Sequence, residues 1–151
     1  MSGQKFLTLP NSLGIILIIL GILAAVAPHT FLPVCQYMGM LVKTAAGTQI
    51  PMKCFWTANA EVALGVMVVV VAGVLIASTQ RETKRALGIV GAILGILIIL
   101  MPTALIGTCM DPKHPCNVYT LPGELIFGAL ILILSIVITV MPGRPLEVKK
   151  T

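Results

Sequence analysis

Four long apolar stretches constrain this chain more than any other feature. They cover about residues 11–34, 58–78, 85–106 and 121–141. A bilayer core about 30 Å thick is crossed by roughly 20 apolar residues of α-helix. Each stretch is therefore long enough for one crossing, and the sequence predicts an all-α membrane protein with four transmembrane helices in a single domain, residues 1–151.

The amino-acid composition agrees with this class. Hydrophobic residues make up 58% of the chain and charged residues 10%, a balance outside that of ordinary soluble domains. The first stretch also resembles a secretory signal, because Lys5 precedes it and Ala-Val-Ala at 25–27 is similar to a cleavage site. However, Pro28 would follow that cut, and the repeat described next includes this stretch. We expect it to remain as a helix.

The second half of the chain repeats the first. "LGIILIILGILAAVAPHTFLPVC" at 13–35 aligns with "LGIVGAILGILIILMPTALIGTC" at 87–109, and every landmark pair is 74 residues apart: Gly14 and Gly88, Gly21 and Gly95, Pro28 and Pro102, Cys35 and Cys109. "WTANAEVALG" at 56–65 aligns with "YTLPGELIFG" at 119–128 at an offset of 63: Trp56 and Tyr119, Thr57 and Thr120, Glu61 and Glu124, Gly65 and Gly128.

Ordered agreement of these residue types indicates a duplicated hairpin. Repeat 1 covers about residues 11–78 and repeat 2 about 85–142. Since each repeat crosses the membrane twice, both enter it from the same side, which predicts two tandem parallel repeats related by an axis along the membrane normal.

Glycines and prolines mark matching positions in the first and third helices. Small residues on one stripe of a helix allow close packing in lipid, and the stripe glycines are Gly14, Gly21, Gly88 and Gly95. Pro28 and Pro102 lie near one end of each helix, where a kink or a helix end is expected.

Basic residues in the connections predict the orientation. With the N-terminus in the cytoplasm, seven lysines and arginines lie inside (Lys5, Arg81, Lys84, Arg85, Arg144, Lys149, Lys150) and three outside (Lys43, Lys53, Lys113). We therefore expect a multi-pass protein of the cytoplasmic membrane with both termini in the cytoplasm. The net charge of +5 follows from this distribution, and no basic patch with interleaved aromatics suggests a nucleic-acid partner.

In this topology all four cysteines lie in the extracytoplasmic loops, as Cys35 and Cys54 in the first and Cys109 and Cys116 in the second. Such placement is typical of disulfides in an oxidising compartment. The duplication favours pairing within each repeat. The alternative is a membrane thiol-disulfide oxidoreductase, but the close Cys-x-x-Cys pair on which that chemistry relies is absent from the sequence.

The first outer loop also carries a strand pattern. "MLVKTAAGTQIPMK" at 40–53 contains two short extended runs around an Ala-Ala-Gly-Thr turn, which predicts a small β-hairpin.

Two acidic residues lie near the beginnings of helices. Glu61 and Glu124 would complement the positive end of the helix dipole, with Thr57 or Asn59 and, in the second repeat, Thr120 as N-caps. The alternative is a symmetric carboxylate pair that binds a cation or a proton at the mouth of the bundle.

The matched aromatics Trp56 and Tyr119 are typical of the membrane-interface belt, with stacking on a ligand as the alternative.

Soft and imidazole ligands are numerous near the cysteines: Met38, Met40, Met52, Met110, His29 and His114. Copper(I) or haem would use such groups, but no spacing forces them together, so the sequence predicts no metal site and no cofactor. It also lacks a recognisable catalytic motif and a charge central to any span. The first absence argues against catalysis, and the second argues against autonomous ion-coupled transport.

The segments "MKCFWTANAEVALG" and "IGTCMDPKHPC" resemble an uncharacterised prokaryotic family of four-helix membrane proteins, a domain of unknown function with a Cys-His-Trp-Thr motif. Phe55 stands here in place of the histidine, which argues against a metal or haem role for the motif. The resemblance covers essentially the whole chain and implies an association with macrolide-exporter-type ABC transporters.

We therefore expect a non-enzymatic accessory subunit that presents a disulfide-tied outer face. Its partners would be membrane lipid and a transporter permease, docked on the glycine-rich helix faces, or a second copy of the chain. The alternatives are the oxidoreductase and a protein that binds a metal or a lipophilic ligand.

Overall fold

The computed structural model describes residues 3–32, 34, 41–43, 45, 47–109 and 113–141. Four α-helices dominate this part of the chain: α1 (Gly3–Val26), α2 (Lys53–Ala77), α3 (Arg81–Leu100) and α4 (Leu121–Val140). A 3-10 turn, Ala27–His29, follows α1, and π-helical turns follow α3 (Met101–Leu105) and precede α4 (Cys116–Thr120).

All four helices are long and apolar enough to cross a membrane. The candidate spans are Asn11–His29, Lys53–Ala77, Arg81–Leu105 and Cys116–Val140. The predicted class, an all-α membrane protein built from two tandem helical hairpins, is confirmed. The second, third and fourth spans begin four or five residues before the positions expected from hydropathy, because polar residues such as Lys53 and Thr57 are already helical.

Prolines end the regular part of the first and third helices, as predicted. Pro28 lies in the 3-10 turn directly after α1, and Pro102 lies in the π-helical turn directly after α3. A proline has no N–H for the helical hydrogen bond and its ring clashes with the preceding turn. The two equivalent prolines are both buried, so each chain segment turns inward at the same end of the bundle.

Each hairpin is held together by a pair of facing glycines. α1 packs mainly against α2, and α3 against α4. A Cβ atom on Gly21 would lie 2.9 Å from the carbonyl oxygen of Gly65, and one on Gly95 would lie 3.0 Å from that of Gly128. These are equivalent positions of the two repeats. The helices of each repeat therefore touch backbone to backbone at the same level.

The other two glycines of the predicted stripe also face neighbouring helices. A Cβ atom on Gly14 would lie 2.6 Å from the Ile76 side chain of α2, and one on Gly88 would overlap the Thr139 hydroxyl of α4. The glycine-rich faces are thus occupied inside the chain. A permease partner stays a prediction, but the space beside each of these four glycines is filled by the chain itself.

A hydrophobic core fills the bundle away from the cysteine-bearing end. It contains buried residues from all four helices: Leu17, Leu20, Leu64, Val68, Ala72, Leu75, Leu94, Ile98, Ile131 and Ile138. Large apolar side chains also cover the outside, for example Ile19, Val70 and Ile133, each more than half exposed. An apolar interior inside an apolar exterior is what a bundle surrounded by lipid requires.

The predicted β-hairpin is confirmed. Strand β1 (Leu41–Lys43) pairs antiparallel with β2 (Gln49–Pro51), and Val42 lies opposite Ile50. Gly47 turns the chain with a φ of +79°, a conformation that glycine adopts without steric cost. The strands pair only with each other among the described residues. Cys35, which precedes this hairpin, lies outside the described residues.

The glycine contacts generate a stability prediction. Gly21→Ala and Gly95→Ala should each lower the free energy of unfolding by about 1–3 kcal/mol, because the added methyl group would overlap backbone atoms that cannot move independently. The measurement is unfolding of the purified protein in mixed detergent micelles.

Gly73→Ala provides the matched control in α2. No atom lies within 4 Å of a Cβ atom at this position, so stability should be unchanged or raised by up to about 1 kcal/mol through helix propensity. If Gly21→Ala were as stable as Gly73→Ala, the role assigned to the glycine pairs would be contradicted.

Candidate metal and carboxylate site

A narrow pocket opens between the four helices at the cysteine-bearing end. Residues of both repeats line it, in pairs that the duplication relates: Pro28 and Pro102, Cys54 and Cys116, Thr57 and Thr120, Glu61 and Glu124. Sequence analysis had singled out all eight residues separately. The structure brings them together in one pocket between the two repeats.

Two threonine hydroxyls join the repeats. Thr57 of α2 donates a hydrogen bond of 2.8 Å to the carbonyl oxygen of Gly107, and Thr120 donates one of 3.0 Å to that of Leu32. Each threonine thus reaches the segment that follows the first helix of the other repeat. Such reciprocal bonds fix the rotation of the second helix of each repeat toward the pocket.

The predicted N-cap roles are wrong for Thr57 and Asn59 and right only in position for Thr120. Helix α2 begins at Lys53 after Met52, with no side-chain cap, so Thr57 and Asn59 lie inside the helix rather than before it. Asn59 donates back to the carbonyl oxygen of Phe55 at 2.9 Å. Thr120 does occupy the N-cap position of α4, as predicted, but its side chain makes no capping bond, because its hydroxyl donates to Leu32 of the other repeat.

Glu61 and Glu124 lie one turn further into the bundle than the threonines. Both side chains are completely buried, at 0% exposure, although the sequence favoured a role at exposed helix ends. None of their four carboxylate oxygens has a hydrogen-bond partner. The two carboxylates therefore face the interior of the bundle as a pair. This is the arrangement that the alternative interpretation of the sequence required.

Three cysteines converge above the carboxylates. The Sγ atoms of Cys54, Cys109 and Cys116 all lie within 4.8 Å of one another, and Cys54 and Cys116 are fully buried. The Sγ atoms of Cys54 in the first repeat and Cys109 in the second lie 3.3 Å apart. This distance exceeds the roughly 2.05 Å of a disulfide, and proximity does not single out the predicted pairing within each repeat.

A methionine adds a fourth sulfur to this cluster. The Sδ atom of Met52 lies 3.7 Å from Sγ of Cys109, and both residues pack against the small buried cluster around Cys54 and Cys116. Met38, Met40 and Met110 lie outside the described residues. His29 and His114 are described, but neither belongs to the group of converging ligand atoms.

Hydrogen bonds from the second outer segment position Cys109. The side-chain amide of Asn117 donates to the carbonyl oxygen of Cys109 at 2.7 Å, and the Thr108 hydroxyl donates to the Asn117 side-chain oxygen. Asn117 follows Cys116 directly in the sequence, so one short segment holds both cysteines. Sequence analysis missed Thr108 and Asn117; the only available signal was that each adjoins a cysteine.

The matched aromatics lie outside the site. Trp56 is 59% exposed and Tyr119 is 60% exposed, and neither lines the pocket. Trp56 contacts Phe55 edge to face, with 5.7 Å between the ring centres. Among the described residues, the geometry thus agrees with outward-facing aromatics at the surface of the bundle rather than with stacking on a pocket ligand.

Comparison with known proteins identifies the family of this chain, but no individual relative. The model of the family described as "Domain of unknown function (DUF4418)" matches residues 17–141. The search of curated proteins and the search of solved structures each found no match. Because the family model covers most of the chain, including the second part of α1, all of α2, α3 and α4, and the pocket, this four-helix protein belongs to the DUF4418 family.

Proposed function

We propose that this membrane protein binds a soft metal ion of the copper(I) class at the cysteine cluster. The observation that carries the proposal is the convergence of three sulfur atoms, from Cys54, Cys109 and Cys116, within 4.8 Å of one another. They come from two parts of the chain that are distant in the sequence, one with Cys54 and one with Cys109 and Cys116. The absence of ligand spacing in the sequence is therefore no argument against the site.

The distances suit a shared metal ion. Thiolates that bind one ion tetrahedrally, with metal–sulfur bonds of about 2.3 Å, lie about 3.8 Å apart. Small side-chain rotations bring three sulfurs within 4.8 Å to that separation. Met52, with Sδ 3.7 Å from Cys109, would complete an all-sulfur set. Thiolate ligands suit both copper(I) and zinc, but the thioether of Met52 favours copper(I), because zinc sites are built from thiolate, imidazole and carboxylate ligands.

The position of the cysteine cluster favours binding of a metal ion rather than its transport across the membrane. The cysteine cluster lies at one end of the bundle, and the hydrophobic core of all four helices lies behind it. An ion would reach the sulfurs from that end and leave by the same route. This agrees with a non-enzymatic metal-binding protein, and metal binding requires the thiols to lose their protons.

Copper(I) titration tests the proposal. We expect the reduced protein, kept free of oxygen, to take one copper(I) per chain from a chromogenic chelator. Cys54→Ser and Cys116→Ser should each weaken binding by about tenfold or more, because each removes a buried ligand. Met52→Leu should weaken it less. Met67→Leu is the matched control, since Met67 is 53% exposed on the outside of α2.

Two results would contradict the copper proposal. One is a reduced protein that leaves copper(I) with the chelator. The other is a Cys54–Cys109 disulfide in protein from native membranes that opens and closes with respiratory state, which would favour the oxidoreductase instead. The 3.3 Å approach of these two sulfurs is the observation that favours this second function. Mass spectrometry of alkylated peptides distinguishes the two outcomes, because a sulfur in a disulfide does not bind the metal.

An accessory role beside an ABC-transporter permease is a separate proposal. It is compatible with metal binding by the same protein. The family resemblance supplies the idea, and the β-hairpin supplies a surface for it. Lys43, Gln49 and Ile50 are exposed on the hairpin, and its strands pair only with each other among the described residues. With the basic connections inside, the hairpin and the cysteines would lie outside the cytoplasmic membrane, where exporters of this type have large domains.

Co-purification tests the accessory role. Protein isolated from native membranes in mild detergent should carry a permease and an ATPase in stoichiometric amounts. Ile50→Asp should loosen that complex because it places a charge where an apolar side chain is 46% exposed, while the control Ile50→Val should retain it. Purification of the chain alone, or as a self-oligomer, would contradict the accessory role and leave the copper proposal intact.

A further inference from the structure

The carboxylates of Glu61 and Glu124 are the least satisfied polar groups described in this protein. Both side chains are 0% exposed, and all four oxygens lack a hydrogen-bond partner. Buried polar groups in native proteins are almost always paired, and an isolated buried charge is costly. Two such groups facing the same pocket indicate a site that is completed by something other than the protein.

The surroundings supply further oxygen atoms. Thr57 and Thr120 lie four residues before Glu61 and Glu124, which places each threonine one helical turn above a carboxylate on the same face. Both hydroxyls line the same pocket. Each donates its proton to a backbone carbonyl, so the lone pairs of the hydroxyl oxygens remain available as acceptors.

We propose that Glu61 and Glu124, together with the hydroxyl oxygens of Thr57 and Thr120, bind a divalent cation of the oxygen-preferring class, such as Mn²⁺, Ca²⁺ or Mg²⁺. Two carboxylates carry two negative charges, and a divalent cation neutralises both. A monovalent cation would leave a net charge inside the apolar bundle, at a large cost in desolvation. The ligands are carboxylate and hydroxyl oxygens, which are the donors that hard cations prefer.

This cation site is distinct from the cysteine cluster. Glu61 lies seven residues after Cys54, and Glu124 lies eight after Cys116, which corresponds to about 11 to 12 Å along the helices. The sulfurs select a soft ion at the mouth, and the oxygens select a hard ion two turns deeper. Because both sites line one pocket, the cation would enter past the cysteines, and the hydrophobic core closes the bundle beneath it.

Manganese binding to the full-length protein in detergent tests the inference, since Mn²⁺ has little affinity for sulfur ligands and its binding is read by electron paramagnetic resonance. We expect about one bound Mn²⁺ per chain, displaced by excess Ca²⁺ or Mg²⁺. Glu61→Gln and Glu124→Gln should each weaken Mn²⁺ binding by about tenfold or more through loss of ligand charge. Glu82→Gln is the matched control, because Glu82 is exposed in the first turn of α3.

Folding is not an obstacle to this test, since each glutamine keeps the shape of the glutamate and removes a buried ionisable group. Copper(I) binding separates the two proposals: the glutamine variants should keep it, and Cys54→Ser should keep Mn²⁺. The inference is overturned if wild-type protein holds none of the three cations, or if Glu61→Gln with Glu124→Gln binds Mn²⁺ as wild type does. Infrared bands of protonated carboxylic acids that persist in excess Mn²⁺ would also overturn it, because the pair would then be neutralised by protons.

Discussion

The close backbone contact between glycines within each hairpin is the constraint on which the rest of this structure depends. Lipid provides no hydrophobic force between helices, so they associate through close packing and polar contacts. Gly65 and Gly128 provide that approach in equivalent helices. The threonine and the glutamate of each repeat precede this glycine by eight and four residues, and therefore lie on the same helix face. The contact that packs the hairpin thus also turns Glu61 and Glu124 inward.

Reciprocity between the repeats completes the site. Thr57 and Thr120 each donate to a carbonyl group beyond the first helix of the other repeat, so neither repeat forms the pocket alone. The cysteine cluster follows the same rule, since Cys54 comes from the first repeat and Cys109 and Cys116 from the second. The site therefore lies between the two repeats. Each repeat contributes residues to it, and most of these residues occupy equivalent positions in the two repeats.

The arrangement has an energetic consequence that bears on function. Two buried carboxylates without hydrogen-bond partners destabilise an apolar bundle unless a ligand or protons compensate their charge. The packing elsewhere is that of a conventional helical core. The polar groups are concentrated at one end, where sulfur ligands lie above oxygen ligands. This segregation is the basis for proposing two separate ion sites at one end of the bundle.

Much of the fold could be predicted from the sequence, because hydropathy, repeat offsets and proline positions act locally along the chain. The four spans, the two hairpins, the helix ends at Pro28 and Pro102 and the small β-hairpin were all determined in this way. The site residues were named individually, but their roles were not predictable. The carbonyl group that accepts the Thr57 hydrogen bond is 50 residues away in the sequence, and the Cys109 sulfur that lies 3.3 Å from Cys54 is 55 residues away.

Only the tertiary structure decided which face of each helix points inward. If α2 were rotated by half a turn, most of the side chains facing lipid would still be apolar. Glu61 would then be exposed, however, and the cysteines would be separated. The glycine contacts and the hydrogen bonds between repeats fix that rotation. The sequence by itself therefore determined the spans and their order, and the packing between helices determined the site, because contacts between distant segments set the rotation of a helix that is apolar on every side.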